Sequence, residues 1–176
     1  MKKMSLPHVK MLIILISVAF IGIDQLIKYV VVDNMQLYDT IPIINNAIHI
    51  TYVLNDGAAF SMLSGQAWLL CGVTSLLMIG LIVFFFLKST NHIPTLCSLG
   101  LIISGGIGNL IDRFFRGETL FYGKVVDYID FRLIKFAVFN FADCCVVIGG
   151  CLLTAIYIYM VYKEYKEKKI GETANE

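Results

Sequence analysis

Residues 139–162 read FNFADCCVVIGGCLLTAIYIYMVY. After Asp143 no charge appears until Lys163. The stretch from Cys144 to Tyr162 is therefore apolar and close to the ~20 residues that a membrane-crossing helix needs. A charged side chain at mid-bilayer costs about 2.5–3.5 kcal/mol on insertion scales. Asp143 stands at the lip of the run, and Asn140 lies three residues before it, one helical turn outside. Taken alone, Asp143 reads as a helix N-cap, a position where Asp is favoured.

Three more runs approach the same length: residues 11–32, 67–87 and 93–111, the last two without a charge. The chain has 176 residues, 58% of them hydrophobic and 15% charged. A soluble domain of this size needs far more polar surface. The reading is an all-α integral membrane protein, one polytopic domain over 1–176, with spans at about 11–32, 67–87, 93–111 and 144–162. Its extracytoplasmic loops are 33–66 and 112–143. The first loop supplies a small extracytoplasmic β element: AIHITYVL (47–54) alternates like a strand, and NDG (55–57) is a turn signal. The start, MKK and an apolar run, has the outline of a secretory signal. It lacks a small-x-small cleavage site and carries Asp24 and Lys28, so it reads as a retained helix.

A net charge of +1 points to no nucleic-acid partner. The five cysteines (71, 97, 144, 145, 151) lie in apolar runs without CxxC spacing. They read as small, buried, reduced hydrophobes rather than zinc ligands. His49 and His92 read as surface residues.

Lysine placement gives a direction. Lys2, Lys3, Lys10, Lys88, Lys163, Lys166, Lys168 and Lys169 share one side, which is then cytoplasmic, with both termini. Loop 33–66 holds no Lys or Arg; the second outer loop holds Arg113, Arg116, Lys124, Arg132 and Lys135. Counted at about 1.5 Å per helical residue, the polar groups of the spans reach one level. Asp24 lies ~20 Å up the first span, Lys28 one turn higher, and Asn109 ~24 Å up the third. Asp112 shares the face of Asn109. Asp143 marks the mouth of the fourth. Asp24 and Lys28 have the i, i+4 spacing of an ion pair, and Asn109 and Asp112 would serve as caps. Capping does not explain why the second outer loop adds KVVDYIDF (124–131), with two further carboxylates.

Several blocks together resemble a family: IDQLIKYV (23–30), LNDGAAFSML (54–63), GGIGNLIDR (105–113), VVDYIDF (125–131) and FNFADCCVVIG (139–149). In order and placement they are similar to lipoprotein signal peptidase, the type II signal peptidase of bacteria, an intramembrane aspartyl protease. The resemblance implies a catalytic dyad of Asp127 and Asp143, with Asp130 the rival of Asp127. It implies that Asn55, Asn109, Asp112, Arg113, Asn140, Asp24 and Lys28 support the site or bind substrate. No cofactor and no metal is implied. The implied substrates are prolipoproteins, cut before a diacylglyceryl-modified cysteine at the outer leaflet of the bacterial cytoplasmic (inner) membrane. Membrane lipid is the other partner, and the enzyme is expected to act as a monomer. One departure is a long segment, RFFRGETLFYGK (113–124), between Asp112 and Val125. Gly117 and Gly123 suggest hinges of a flap there, an interfacial anchor being the alternative.

The residue types suit the chemistry. Two close carboxyls cannot both ionise, so one can give a proton while the other takes one from water. The positive start of the fourth span favours Asp143 as the ionised member. Asparagine amides hold an extended peptide without adding charge. Two other classes remain open at this point: a small four-helix transporter or channel, since intramembrane charges mark ion paths, and a Mg²⁺ or Ca²⁺ site on Asp112, Asp127 and Asp143.

Overall fold

A computed structural model describes residues 5–57, 66–87, 91–134 and 136–173. Lys2, Lys3, Lys88, Lys135 and all of AAFSML (58–63) lie outside the described residues. Among the described residues four helices are long and apolar enough to cross a membrane: α1 (Leu6–Asn34), α2 (Ala67–Phe86), α3 (Ile93–Phe115) and α4 (Phe141–Thr173). Strands β1 (Thr40–Ile44) and β2 (Ile48–Asn55) follow α1, and β3 (Val125–Phe131) precedes α4. This is the expected fold class, with a larger β element.

The helix ends correct the spans read from hydropathy. α1 starts at Leu6 rather than residue 11, with Pro7 in its first turn, where a missing N–H costs nothing. α3 runs on to Phe115, so Asp112 and Arg113 belong to the helix and not to a loop. α4 begins at Phe141 and runs to Thr173. Its 33 residues span about 50 Å at 1.5 Å each, far more than a bilayer core. Tyr157, Tyr159 and Tyr162 therefore sit mid-helix on its exposed surface, with the lysine-rich turns beyond.

α3 is the central helix and packs against the other three. Half of its most apolar window is buried, against 11–22% in the other helices. Small residues allow the approach. A Cβ on Gly105 would collide with the carbonyl oxygen of Ala142 in α4, and one on Gly108 would come within 2.7 Å of the Asp24 carboxylate. Ile13, Phe85, Leu96 and Leu99 pack together between α1, α2 and α3.

The sheet has the order β1-β2-β3, antiparallel throughout. The hairpin precedes β2 instead of following it. Its turn carries Asn46 at φ 58°, a left-handed conformation that Asn tolerates. The NDG segment closes β2 differently: the Gly57 N–H donates to Asn55 Oδ1 at 2.9 Å, an Asx turn. β2 bulges between Ile50 and Val53, which face Ile129 and Asp127 of β3. The last turn of α1 holds the sheet: Val31 packs with Tyr52, Val126 and Tyr128.

Two surface readings are corrected. His49 is buried within β2, because its strand is central and β1 and β3 flank it. Cys97 and Cys151 are exposed on helix faces, while Cys71 and Cys145 are buried; all five are free thiols. In an apolar solvent, outward small hydrophobes carry no penalty.

Candidate active site

The start of α4 organises the site. Asn140 is its N-cap: the Asp143 N–H donates to Asn140 Oδ1 at 3.0 Å, and the Asn140 N–H donates to Asp143 Oδ2 at 3.1 Å. This reciprocal capping box makes Asp143 the third helical residue and not the cap. The same asparagine reaches the other carboxylate. Asn140 Nδ2 donates to Asp127 Oδ1 at 2.6 Å and to Asn109 Oδ1 at 3.2 Å. Asn109 Nδ2 in turn donates to Asp143 Oδ1 at 2.7 Å. The two aspartates are thus joined through two asparagine amides.

Asp127 is buried in β3, as is Asn140, whereas Asp143 is half-buried. Asn55 Nδ2 donates to Asp127 Oδ2 at 3.0 Å. The Asx turn engages Asn55 Oδ1, which leaves its amide N–H for the carboxyl. Burial first, and then the negative charge of Asp143, push the Asp127 carboxyl up to about 7; the Asn55 and Asn140 hydrogen bonds oppose the rise. Asp130 behaves otherwise. Burial raises it, but the bonds from Arg132 and Thr51 prevail and hold it below the usual carboxylate range. Its partners are Arg132 Nε at 2.9 Å and Thr51 Oγ1 at 2.7 Å.

Beneath the aspartates lies a buried charge network. Lys28 Nζ donates to Asp24 Oδ2, Asp112 Oδ2 and Asn109 Oδ1, each at 2.9 Å. Its three protons therefore have three acceptors. Arg116 Nε meets Asp112 Oδ1 at 2.9 Å, so two carboxylates face two cations. Gln25 Nε2 joins them through Asp24 Oδ2, Asp112 Oδ1 and the Gly108 carbonyl. Asp112 also accepts from the Val126 N–H at 3.2 Å, and Asp24 Oδ1 from the Ala142 N–H at 3.1 Å. The network so ties α1 and α3 to β3 and to the start of α4. Arg113 points elsewhere: its Nη2 donates to the Gly57 carbonyl at 2.8 Å, holding the end of the Asx turn.

Asp24, Lys28, Asn55, Asn109, Asp112, Arg113, Asp127, Asn140 and Asp143 thus fall in one connected region, while Asp130 is bonded apart from it. The carboxylate trio does not assemble as a shared site, because Asp112 is turned to Lys28 and Arg116. Among the described residues no group of three His, Cys, Asp or Glu is placed to hold a metal ion. The transporter reading loses its motive too, since Asp24, Lys28 and Asp112 are bonded to one another in a closed network. Gln25 and Tyr128 were missed. Gln25 carries no pattern beyond its place beside Asp24, and the Tyr128 hydroxyl, which meets the Phe141 N–H, lies in a stretch that reads only as apolar with two carboxylates.

The long segment after α3 folds back on itself. The Gly123 N–H donates to the Arg113 carbonyl at 2.9 Å. A Cβ on Gly117 would come within 2.7 Å of the Gly123 nitrogen. Phe121, at φ 73°, stacks edge-on against Phe114 at 5.0 Å. The two glycines thus permit the close packing of the segment on itself. Trp68, Cys71, Phe114, Phe121 and Tyr122 line a shallow apolar groove of about 550 Å³.

Known proteins resemble this chain in sequence and fold. The family model for signal peptidase (SPase) II matches residues 16–160. The lipoprotein signal peptidase of Clostridioides difficile is 43% identical over 158 residues, covering 90% of this chain and all of the relative. That of Halothermothrix orenii is 37% identical over 161 residues, 92% of this chain and all of the relative. That of Trichormus variabilis is 48% identical over 145 residues, 78% of this chain and 85% of the relative. A bacterial membrane enzyme solved by the in meso method superposes with a TM-score of 0.76 at 31% identity, over 84% of this chain and 87% of that one. With the match running through all four helices and the sheet, the chain belongs to the signal peptidase II family of peptidases.

Proposed function

We propose that this protein removes the signal peptide from bacterial prolipoproteins, cutting before the diacylglyceryl-modified cysteine, with Asp127 and Asp143 as an aspartyl dyad. The observation that carries the dyad is Asn140, whose one side chain bonds Asp127 and accepts from the backbone of Asp143. Asp127, with its carboxyl raised to about 7, keeps a large protonated fraction up to neutral pH and delivers that proton to the scissile carbonyl oxygen. Asp143, at the positive start of α4 and half-open, takes a proton from the attacking water. Collapse of the tetrahedral intermediate breaks the C–N bond as the proton on Asp143 passes to the leaving amine and a hydroxyl proton of the intermediate returns to Asp127. Asp130 is a poorer candidate because Arg132 and Thr51 occupy it. Asn55, at the end of β2, and Arg113 of α3, which holds the Gly57 carbonyl just beyond that strand, orient the peptide.

The direct test is incubation of the purified protein with a diacylglyceryl-modified prolipoprotein. The shortened product is expected, with turnover falling as pH rises through about 7, because Asp127 then loses the proton it must give. Absence of product sinks the reading. Turnover that holds steady from pH 6 to 9 removes Asp127 as the acid.

The site is proposed to face outward in the cytoplasmic membrane, with both termini inside. Of the five cations in the second outer loop, Arg113 is buried against Gly57, Arg116 pairs with Asp112 and Arg132 with Asp130. The lysines at the far end of α4 are exposed and dominate the asymmetry. In a background without native cysteines, Glu118→Cys is expected to react with an impermeant thiol reagent on intact cells, and Lys166→Cys to stay unlabelled. The opposite labelling reverses the orientation.

A further inference from the structure

Tyr128 follows Asp127 in β3, and successive strand residues point to opposite faces. The Asp127 carboxyl meets Asn55 and Asn140; the Tyr128 ring is buried with Val31, Tyr52 and Val126. The Tyr128 hydroxyl accepts a hydrogen bond from the Phe141 N–H at 3.2 Å. Phe141 is the first residue of α4. Its N–H is one of the donors that a helix start leaves without an internal partner. The next two are held from other places: the Ala142 N–H by Asp24 Oδ1 and the Asp143 N–H by Asn140 Oδ1. Three successive amides of the first turn are thus gripped by α1, by β3 and by the cap.

Two of the ties to α4 and its cap come from adjacent residues of β3. Asp127 Oδ1 bonds the Asn140 side chain, and the Tyr128 hydroxyl bonds the Phe141 backbone. One tie between a strand and a helix end permits a pivot about it. A second tie, from the other face of the strand, removes that freedom. Asp143 rides on the turn so held, three residues after its cap.

We propose that the Tyr128 hydroxyl is a positioning group for the dyad: by holding the Phe141 N–H it sets the first turn of α4, and hence Asp143, against Asp127. This inference rests on the dyad reading above. It makes Tyr128 act through backbone and not through contact with substrate, so its loss lowers turnover more than affinity. It also couples geometry to titration. The negative charge of Asp143 is one cause of the raised Asp127 carboxyl, so a dyad that drifts apart releases the Asp127 proton at lower pH.

The test is steady-state cleavage of a diacylglyceryl-modified prolipoprotein by Tyr128→Phe, which deletes one oxygen. Small misplacements of reacting groups are costly, and kcat is expected to fall about tenfold with KM within about twofold. The alkaline limb of the pH profile is expected to move below its wild-type position. Tyr52→Phe, from the same apolar cluster, is the control and is expected to keep wild-type kcat and pH profile. The second variant is Phe141→Pro, which removes the donor at a helix position that accepts proline. Adding Tyr128→Phe to it should cost no further turnover, because the bond is already gone. Wild-type kcat and pH limb in Tyr128→Phe overturn the proposal, as do equal effects of Tyr128→Phe and Tyr52→Phe, or additive losses in the double variant. Those outcomes leave the dyad standing. Failure of the dyad itself is read separately, from full turnover in Asp127→Asn or Asp143→Asn.

Discussion

Asp127→Asn and Asp143→Asn are each expected to lower prolipoprotein cleavage by about 10²–10⁴-fold, the range lost when a positioned proton donor or acceptor is removed. Asparagine keeps the size and the planar head of aspartate but has no proton to exchange near neutral pH. The fold should tolerate both changes. Asp127 is held by amide donors from Asn55 and Asn140, and an amide oxygen at 127 still accepts one of them. Asp143 is half-exposed, and an amide there keeps an acceptor for the capping box. Both variants should therefore appear in the membrane fraction with near-normal thermal stability while cleavage collapses. The double variant should be little worse than either single one, because the pair acts as a unit. Asp130→Asn is the internal control. Its carboxylate serves Arg132 and Thr51 at the edge of the sheet, and most activity should survive its loss. Full turnover in either dyad variant removes that aspartate from the mechanism, and a dead Asp130→Asn reopens the choice between the two carboxylates of β3.

Lys28→Met is expected to damage the fold itself. Lys28 has no solvent exposure, and both of its carboxylate partners, Asp24 and Asp112, are buried to the same degree. Methionine matches the apolar stem but leaves two buried anions with only Arg116, which reaches Asp112 alone. Breaking a buried ion pair from one side costs about 3–5 kcal/mol, which for a domain of this size lowers Tm by about 10 °C or more. Asn109 also loses its lysine donor and with it the constraint that aims its amide at Asp143. Thermal unfolding in detergent reads the first effect. Adding Asp24→Asn and Asp112→Asn to Lys28→Met removes the orphaned charges and should restore part of the lost stability. An unchanged Tm in Lys28→Met, or no recovery in the triple variant, shows that the network contributes little to the fold.

The sequence by itself determined the four-helix membrane fold, the shared level of the polar groups along the helices and the aspartate-asparagine blocks of the candidate site. These are local properties. A charge-free run of about 20 residues has one economical conformation in lipid, and a polar residue in it can be placed by counting. The capping box at Asn140 and Asp143 was also written locally, as N-x-x-D, but hydropathy put the helix start three residues too late. A cap belongs to the helix although its residues are polar. Only the tertiary structure decided the partners across elements. Lys28 forms the ion pair with Asp24 that spacing suggested, and Asp112, from α3, is equally close. β1 and β3 were not read as strands because sheet pairing joins residues far apart: Val53 faces Asp127, and Asn55 reaches that carboxyl only through this register. The Tyr128 hydroxyl was invisible in an apolar strand until the start of α4 came to lie against it. Whether a polar atom finds a partner depends on placement to within an ångström, which long-range packing sets and local pattern does not encode.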